Sequence, residues 1–75
     1  QEILNLIRNE DERARNVNPL ERVMEIEEDT NEIVVTTTNE KLAQRLGRAL
    51  YRAYKGHVEY HWMGTSKQAR VRWTR

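Results

Sequence analysis

The hydrophobic positions of this 75-residue chain repeat with two periods, and the first of them predicts a helix near its start. Residues 2–16, EILNLIRNEDERARN, carry an apolar patch on one side at helical spacing. The patch consists of Ile3, Leu4, Leu6 and Ile7, joined by Ala14. Glu10 and Asp11 fall on the same side, so only the first two turns are predicted to pack. Asn18-Pro19 marks the helix end or its exit turn, because the residue before proline avoids the α region.

Two strands follow, since the pattern changes to a period of two. Residues 20–28, LERVMEIEE, set apolar positions against glutamates. Leu20, Met24 and Ile26 are the predicted inner positions, and Arg22 with Val23 breaks the alternation. Residues 32–38, EIVVTTT, are rich in β-branched side chains and predict the return strand. The intervening DTN predicts a turn in which two- and three-residue loops both fit.

A second helix begins after Thr38 and Asn39, either of which suits an N-cap, and ends at Gly56, a typical left-handed C-terminal residue. Its predicted core stripe spans about 100° of arc on a helical wheel. The stripe consists of Leu42, Leu46, Ala49, Leu50 and Ala53. Two alternating segments around GTSK then predict a hairpin, residues 57–63 and 68–74.

The hairpin register follows from pairing Met63 with Gln68, which matches large with small or branched side chains on one face. That face pairs Trp62 with Ala69, Tyr60 with Val71 and Val58 with Trp73. We therefore expect Tyr60, Trp62 and Trp73 to belong to the core. The other face pairs His57, Glu59 and His61 with Thr74, Arg72 and Arg70.

The order α-β-β-α-β-β predicts a single α+β domain over residues 1–75, a two-layer sandwich with a helix packed on a four-stranded, antiparallel-rich sheet. Strand order is left open. The start at Gln1 rather than Met predicts a piece of a longer protein. The chain has no cysteine, which fits a reducing, cytoplasmic location, and it has no apolar run near the ~20 residues of a membrane span.

Charge is distributed unevenly although the net charge is +1. Residues 1–40 hold four cations and eleven acids, a net charge of −7, whereas residues 41–75 hold nine cations and one acid, a net charge of +8. Two interpretations are open: the halves neutralise each other in the fold, or the basic half binds a polyanion.

Residues with catalytic or metal-binding chemistry are sparse. His57 and His61 lie four apart in a predicted strand, ~13 Å along one face, too far to share a metal ion. Ser66 has no base near it in the sequence, and the acidic residues 25–29 lack the spacing of a calcium loop. No glycine-rich phosphate loop is present. We expect neither an enzyme nor a cofactor.

The second helix carries the strongest candidate site, a row of cations that we call the basic ridge. It consists of Lys41, Arg45, Arg48, Arg52 and Lys55. The ridge covers about 80° of arc and about 21 Å of length, with no acid between its ends. Tyr51 lies beside it and either stacks on a base or covers the core edge. Arg70 and Arg72 are predicted to extend the site from the exposed sheet face.

Three segments carry a resemblance to a known family: EILNLIRNEDERARNVNPLERVMEIEE, VVTTTNEKLAQRLGRALYRAYKG and ARVRW. Together they cover essentially the whole chain. They resemble the C-terminal portion of bacterial zinc-ribbon proteins labelled "NMD protein affecting ribosome stability and mRNA decay", after the Nmd-type adaptors of the large ribosomal subunit. Members of that family carry paired zinc-binding cysteines before this region, and this chain has none. The resemblance implies a second domain that followed a zinc-ribbon part and works at the ribosome.

Two functional hypotheses result. In the first, the chain is a non-enzymatic RNA- or ribosome-binding module that contacts phosphates through the basic ridge. In the second, it is a protein-interaction or dimerisation domain whose acidic half meets the basic half of another copy or of the N-terminal domain. The apolar patch of residues 3–7 favours the second, since it needs a partner.

Overall fold

The computed structural model describes residues 2–62 and 67–75, and these form an α+β fold with the predicted element order. The elements are α1 (Glu2–Val17), β1 (Val23–Glu28), β2 (Glu32–Thr37), α2 (Glu40–Tyr54), β3 (His57–Trp62) and β4 (Ala69–Thr74). The predicted Met63–Gln68 pair and the loop serine Ser66 lie outside the described residues. Neither described helix has the length and apolar character needed to cross a bilayer.

All four strands form one sheet in the order β1-β2-β4-β3, and every neighbouring pair is antiparallel. Strand β4 therefore separates β2 from β3, which run parallel to each other and are joined by α2. The buried residues of β2 and β4 alternate with more exposed ones, so the sheet has one covered and one open face. Both helices pack on the covered face, where α2 supplies five buried residues and α1 supplies two.

The hairpin register is confirmed at six positions, from His57 opposite Thr74 to Trp62 opposite Ala69. Strand β1 departs from the prediction, because its pairing with β2 shifts between Val23 and Glu25. This irregularity places Val23 and Ile26 against the core, whereas Met24 is exposed and Leu20 is 81% exposed. The break that Val23 makes in the alternation marks a bulge. The assignment of Leu20 and Met24 to the inner face is wrong.

Helix α1 packs over more of its length than its first two turns, because Ala14 in its last part is fully buried. The two acids on its apolar side are accommodated by specific partners. Asp11 accepts a hydrogen bond of 2.8 Å from the backbone N–H of Val23, and its other carboxylate oxygen lies 3.0 Å from Arg15. A partly buried carboxylate with such partners loses little on leaving water.

The buried face of α2 is rotated from the predicted stripe. Ala43 and Gly47 are buried along with the three leucines, while Ala49 is half-buried and Ala53 is exposed. The reason is the position of β3, whose Tyr60 contacts the flank of α2 that contains Gly47. Asn39 is confirmed as the N-cap, since its side chain accepts a 2.9 Å hydrogen bond from Leu42 N–H.

Candidate nucleic-acid interface

Four cations of the basic ridge, from Lys41 to Arg52, lie on the face of α2 opposite its buried residues. Lys55 follows the last residue of α2 as its C-cap, and all five cations are exposed. An ordinary solvated helix face mixes acids and bases at a spacing of three or four residues, which lets them pair. Here, within the part of the chain that the structure describes, Lys41, Arg48 and Arg52 form no ion pair. Their charge is therefore available to an external anion.

Arg45 differs from these three because it faces α1. Its Nε lies 3.8 Å from a carboxylate oxygen of Glu10, whose side chain is only 14% exposed. Glu10 also lies 3.2 Å from Arg13 of its own helix. Arg45 thus stands at the border of the ridge, where an acid of α1 partly compensates its charge.

Lys55 ends the ridge beside Tyr51. Its ammonium group lies 5.4 Å from the centre of the Tyr51 ring, a cation–π distance, and the ring itself is about half exposed. Tyr51 is therefore not a cover for the core edge. The backbone of Lys55 has φ 62°, a region that costs a non-glycine residue free energy.

Arg70 and Arg72 lie on the open face of the sheet, since the alternate residues of β4 are buried beneath the helices. They are separated from the basic ridge by the thickness of the two-layer fold and do not form one surface with it. Arg72 is also compensated, with Nε 2.5 Å from Glu32 and a terminal nitrogen 4.0 Å from Glu59. That Arg70 and Arg72 take part in nucleic-acid binding stays a prediction.

Charge pairing between the halves of the chain is limited. Among the described residues, only Arg45 with Glu10 and Arg72 with Glu32 join the acidic half to the basic half. Contacts therefore do not account for a separation of −7 and +8, which weakens the interpretation that the halves exist to neutralise each other.

Sequence reasoning missed an aromatic pair at the edge of the sheet. Tyr60 and Trp62 were predicted to be core residues, but they are 37% and 53% exposed. The predicted side of the sheet is right for both residues, but the predicted burial is wrong, because β3 is an edge strand with a neighbour on one side only. Trp73, the third aromatic of that set, is buried as predicted. The missed signal is Gly47, a glycine inside an otherwise strong helix pattern, which indicates a close neighbour.

Other candidate chemistry stays dispersed. His57 and His61 are exposed, four residues apart on the same face of β3, opposite Thr74 and Arg70. His57 lies 3.6 Å from Glu59. No cluster of three or more potential metal ligands occurs among the residues that the structure describes.

Comparison with known proteins adds no assignment. No family model, no curated protein and no solved structure matches this chain. The resemblance to the zinc-ribbon family labelled as Nmd-type therefore stays a prediction.

Proposed function

We propose that this domain is a non-enzymatic RNA-binding module of the cytoplasm that contacts phosphates through α2. The observation that carries the proposal is a row of exposed cations, Lys41, Arg48 and Arg52, on one helix face, which have no acid partners among the residues that the structure describes. The resemblance to Nmd-type adaptors suggests the ribosome as the place where that RNA is met.

Phosphate contacts of this kind supply affinity but little sequence information. Each cation that neutralises a phosphate releases counterions, so log affinity falls linearly with log salt. Binding is expected to be weak in sequence preference and steeply dependent on salt.

The test is a salt series of binding to a fluorescent RNA by anisotropy, with co-sedimentation on ribosomal subunits. The variant Arg48→Gln/Arg52→Gln removes two ridge charges, and Arg8→Gln/Arg75→Gln removes two exposed charges outside the candidate site as a matched control. On single-stranded RNA, each lost phosphate contact lowers the salt slope by about 0.7, so the ridge variant is expected to lose about 1.4. The control is expected to keep the slope of the unchanged protein.

Equal slopes for both variants would mean that the ridge makes no phosphate contact. No binding at about 50 mM salt, where such contacts are strongest, would reject RNA as the ligand. Circular dichroism of each variant verifies that the fold is retained.

Self-association is the second candidate function. The apolar patch on α1 that favoured it in the sequence does not need a partner in the folded domain. Ile7 is fully buried and Ile3 and Leu6 pack on the core, so the patch on α1 is already covered within the molecule. Among the large hydrophobic residues that the structure describes, the most exposed are instead Val17 and Leu20, at the connection from α1 to β1. Light scattering after size exclusion at low and high salt tests this: a monomer at both rejects it.

A further inference from the structure

We propose, on the basis of the proposed function, that the RNA ligand is single-stranded and that its bases stack on Trp62 and Tyr60. The basic ridge would hold the phosphates, and the edge of β3 would hold the bases. This assigns a binding role to an aromatic surface that phosphate contacts alone do not require.

Exposure of the pair is the first observation. Trp62 and Tyr60 face the helical layer, the side of the sheet that is covered elsewhere, yet more than half of Trp62 is in contact with solvent. Their ring centres are 6.5 Å apart and the ring planes differ by 18°, so the two rings stack on each other. A large exposed aromatic surface loses free energy in water unless a ligand covers it.

Gly47 shows that the position of this pair is built into the fold. A Cβ atom at Gly47 would lie 2.7 Å from the Tyr60 ring carbon Cζ, inside van der Waals contact. The Tyr60 hydroxyl also lies 3.4 Å from the backbone oxygen of Gln44, within hydrogen-bonding distance. Glycine costs a helix interior about 1 kcal/mol relative to alanine, and here it makes room for the ring.

The same contact places the aromatic pair at the flank of α2 that adjoins the face with the ridge. Arg48 follows Gly47 directly, and Lys41 precedes Gln44 by three residues, about 4.5 Å along the helix axis. Trp62 is two residues beyond Tyr60 toward the N-terminal end of α2. Cations that follow a backbone, next to aromatic rings that stack bases, are the two parts of a general single-strand site.

The positive charge of the ridge favours a nucleic acid over a protein as the ligand of the aromatic pair. A protein partner that covers the aromatic pair must also meet Lys41 and Arg48, which have no acid partners among the described residues. A nucleic acid strand supplies both anionic groups and flat rings, whereas a duplex buries its base faces in its own stack. A duplex is therefore limited to the ridge.

The experiment compares a short uridine oligomer with an RNA duplex of the same length, by anisotropy at one salt concentration. Trp62→Ala is expected to lose about 5-fold or more in affinity for the single strand, which corresponds to the smallest loss typical of one stacked base. Its affinity for the duplex is expected to fall less than about 2-fold. Trp62→Phe keeps a ring and is expected to retain most of the single-strand affinity.

Tryptophan fluorescence gives an independent readout. The uridine oligomer is expected to quench the emission of the unchanged protein, because Trp62 is exposed, and to leave Trp62→Phe nearly unquenched, because its remaining Trp73 is buried. A deoxyuridine oligomer that binds equally well supports stacking too, since neither contact involves the 2′-hydroxyl.

Two outcomes separate the inference from the proposal on which it rests. If Arg48→Gln/Arg52→Gln weakens binding while Trp62→Ala leaves it unchanged, the ridge binds RNA and the stacking site is rejected. If neither RNA binds the unchanged protein at low salt, both are rejected. A duplex that binds more tightly than the single strand also overturns the inference.

Discussion

The β3–β4 hairpin carries one tryptophan near each end, both on the face toward the helices, and the two have opposite environments. Trp73 is 3% exposed, packs edge-on against Tyr54 and donates its indole N–H to the backbone oxygen of Lys55 at 2.5 Å. Trp62 is 53% exposed and stacks on Tyr60 alone among the described aromatic residues. The same strand alternation thus produces a core residue at one end and a binding candidate at the other.

The two ends differ in what covers the indole. At the Trp73 end, the chain leaves α2 through Lys55 and Gly56 and folds directly over the indole. At the Trp62 end, the edge strand β3 leaves the indole 53% exposed, although its neighbour Tyr60 contacts α2 at Gln44. Alternation predicts the side of a sheet on which a residue lies, but only the covering layer decides whether it is buried.

The largest expected effect comes from truncating the two tryptophans in turn. Trp73→Ala leaves a cavity in the core and is expected to lower the free energy of unfolding by about 3–5 kcal/mol. Trp62→Ala, at a half-exposed site, is expected to lower it by less than about 1 kcal/mol. Urea unfolding followed by far-UV circular dichroism measures both. Equal losses of unfolding free energy in the two variants would contradict the contrast between a buried Trp73 and an exposed Trp62.

Gly56 provides a second test at the end of the hairpin where Trp73 is buried. Its φ is 84°, and a Cβ atom there would lie 2.5 Å from the Thr74 backbone oxygen and 2.9 Å from Trp73 Nε1. Gly56→Ala combines backbone strain with these clashes, so a loss of about 2 kcal/mol or more is expected in the same urea assay. A stability equal to that of the unchanged protein would contradict the close cover of Trp73.

Gly47 is the counterpart of Gly56 at the end of the hairpin where Trp62 is exposed. Its replacement is expected to displace the Tyr60 side chain rather than to unfold the protein. In Gly47→Ala the helix gains about 1 kcal/mol of propensity, and the exposed Tyr60 ring is displaced outward at a similar cost. Net stability is expected to change by less than about 1 kcal/mol. The NMR signals of the Tyr60 ring should shift, and single-strand affinity should fall toward that of Trp62→Ala. Unshifted ring signals would show that the ring does not rest on Gly47.

The smallest effect concerns Glu40, the acid at the start of α2. Glu40→Gln removes an unfavourable charge from the end of the ridge and is expected to raise RNA affinity about 2-fold at low salt. It also removes a favourable interaction with the helix dipole, which costs about 0.3–1 kcal/mol of stability. Anisotropy and urea unfolding should therefore change in opposite directions. A decrease in affinity would argue against phosphate binding near Lys41.

The elements and the hairpin register could be predicted because each rests on local periodicity. The strand order could not, since β4 pairs with β2 through contacts between residues some forty positions apart, such as Glu32 opposite Thr74. The inner positions of β1 were half wrong because a bulge changes the parity of the alternation, as at Val23 and Met24. In the sequence this bulge is visible only as one break in the alternation, at Arg22 and Val23, which does not tell which later positions face inward.

The candidate site was predicted in part for similar reasons. The basic ridge follows from helical spacing, and the structure shows all five of its residues exposed. The compensation of Arg45 by Glu10 depends on how α1 packs beside α2, which no local pattern encodes. The exposure of Trp62 depends on which elements pack over the end of the edge strand β3, and no local pattern encodes that packing. Only Gly47 pointed to that junction, through its cost to the helix.

The position of β4 has a consequence for the order of folding events. It is the last of the six elements along the chain, yet it is paired on both sides and joins β3 to the β1–β2 pair. Before residues 69–74 leave the ribosome, the sheet lacks the strand that connects its two parts, and Val71 and Trp73 are missing from the core. Stable structure is therefore expected only after synthesis of this region is complete, and a nascent chain stopped at residue 68 should remain sensitive to protease.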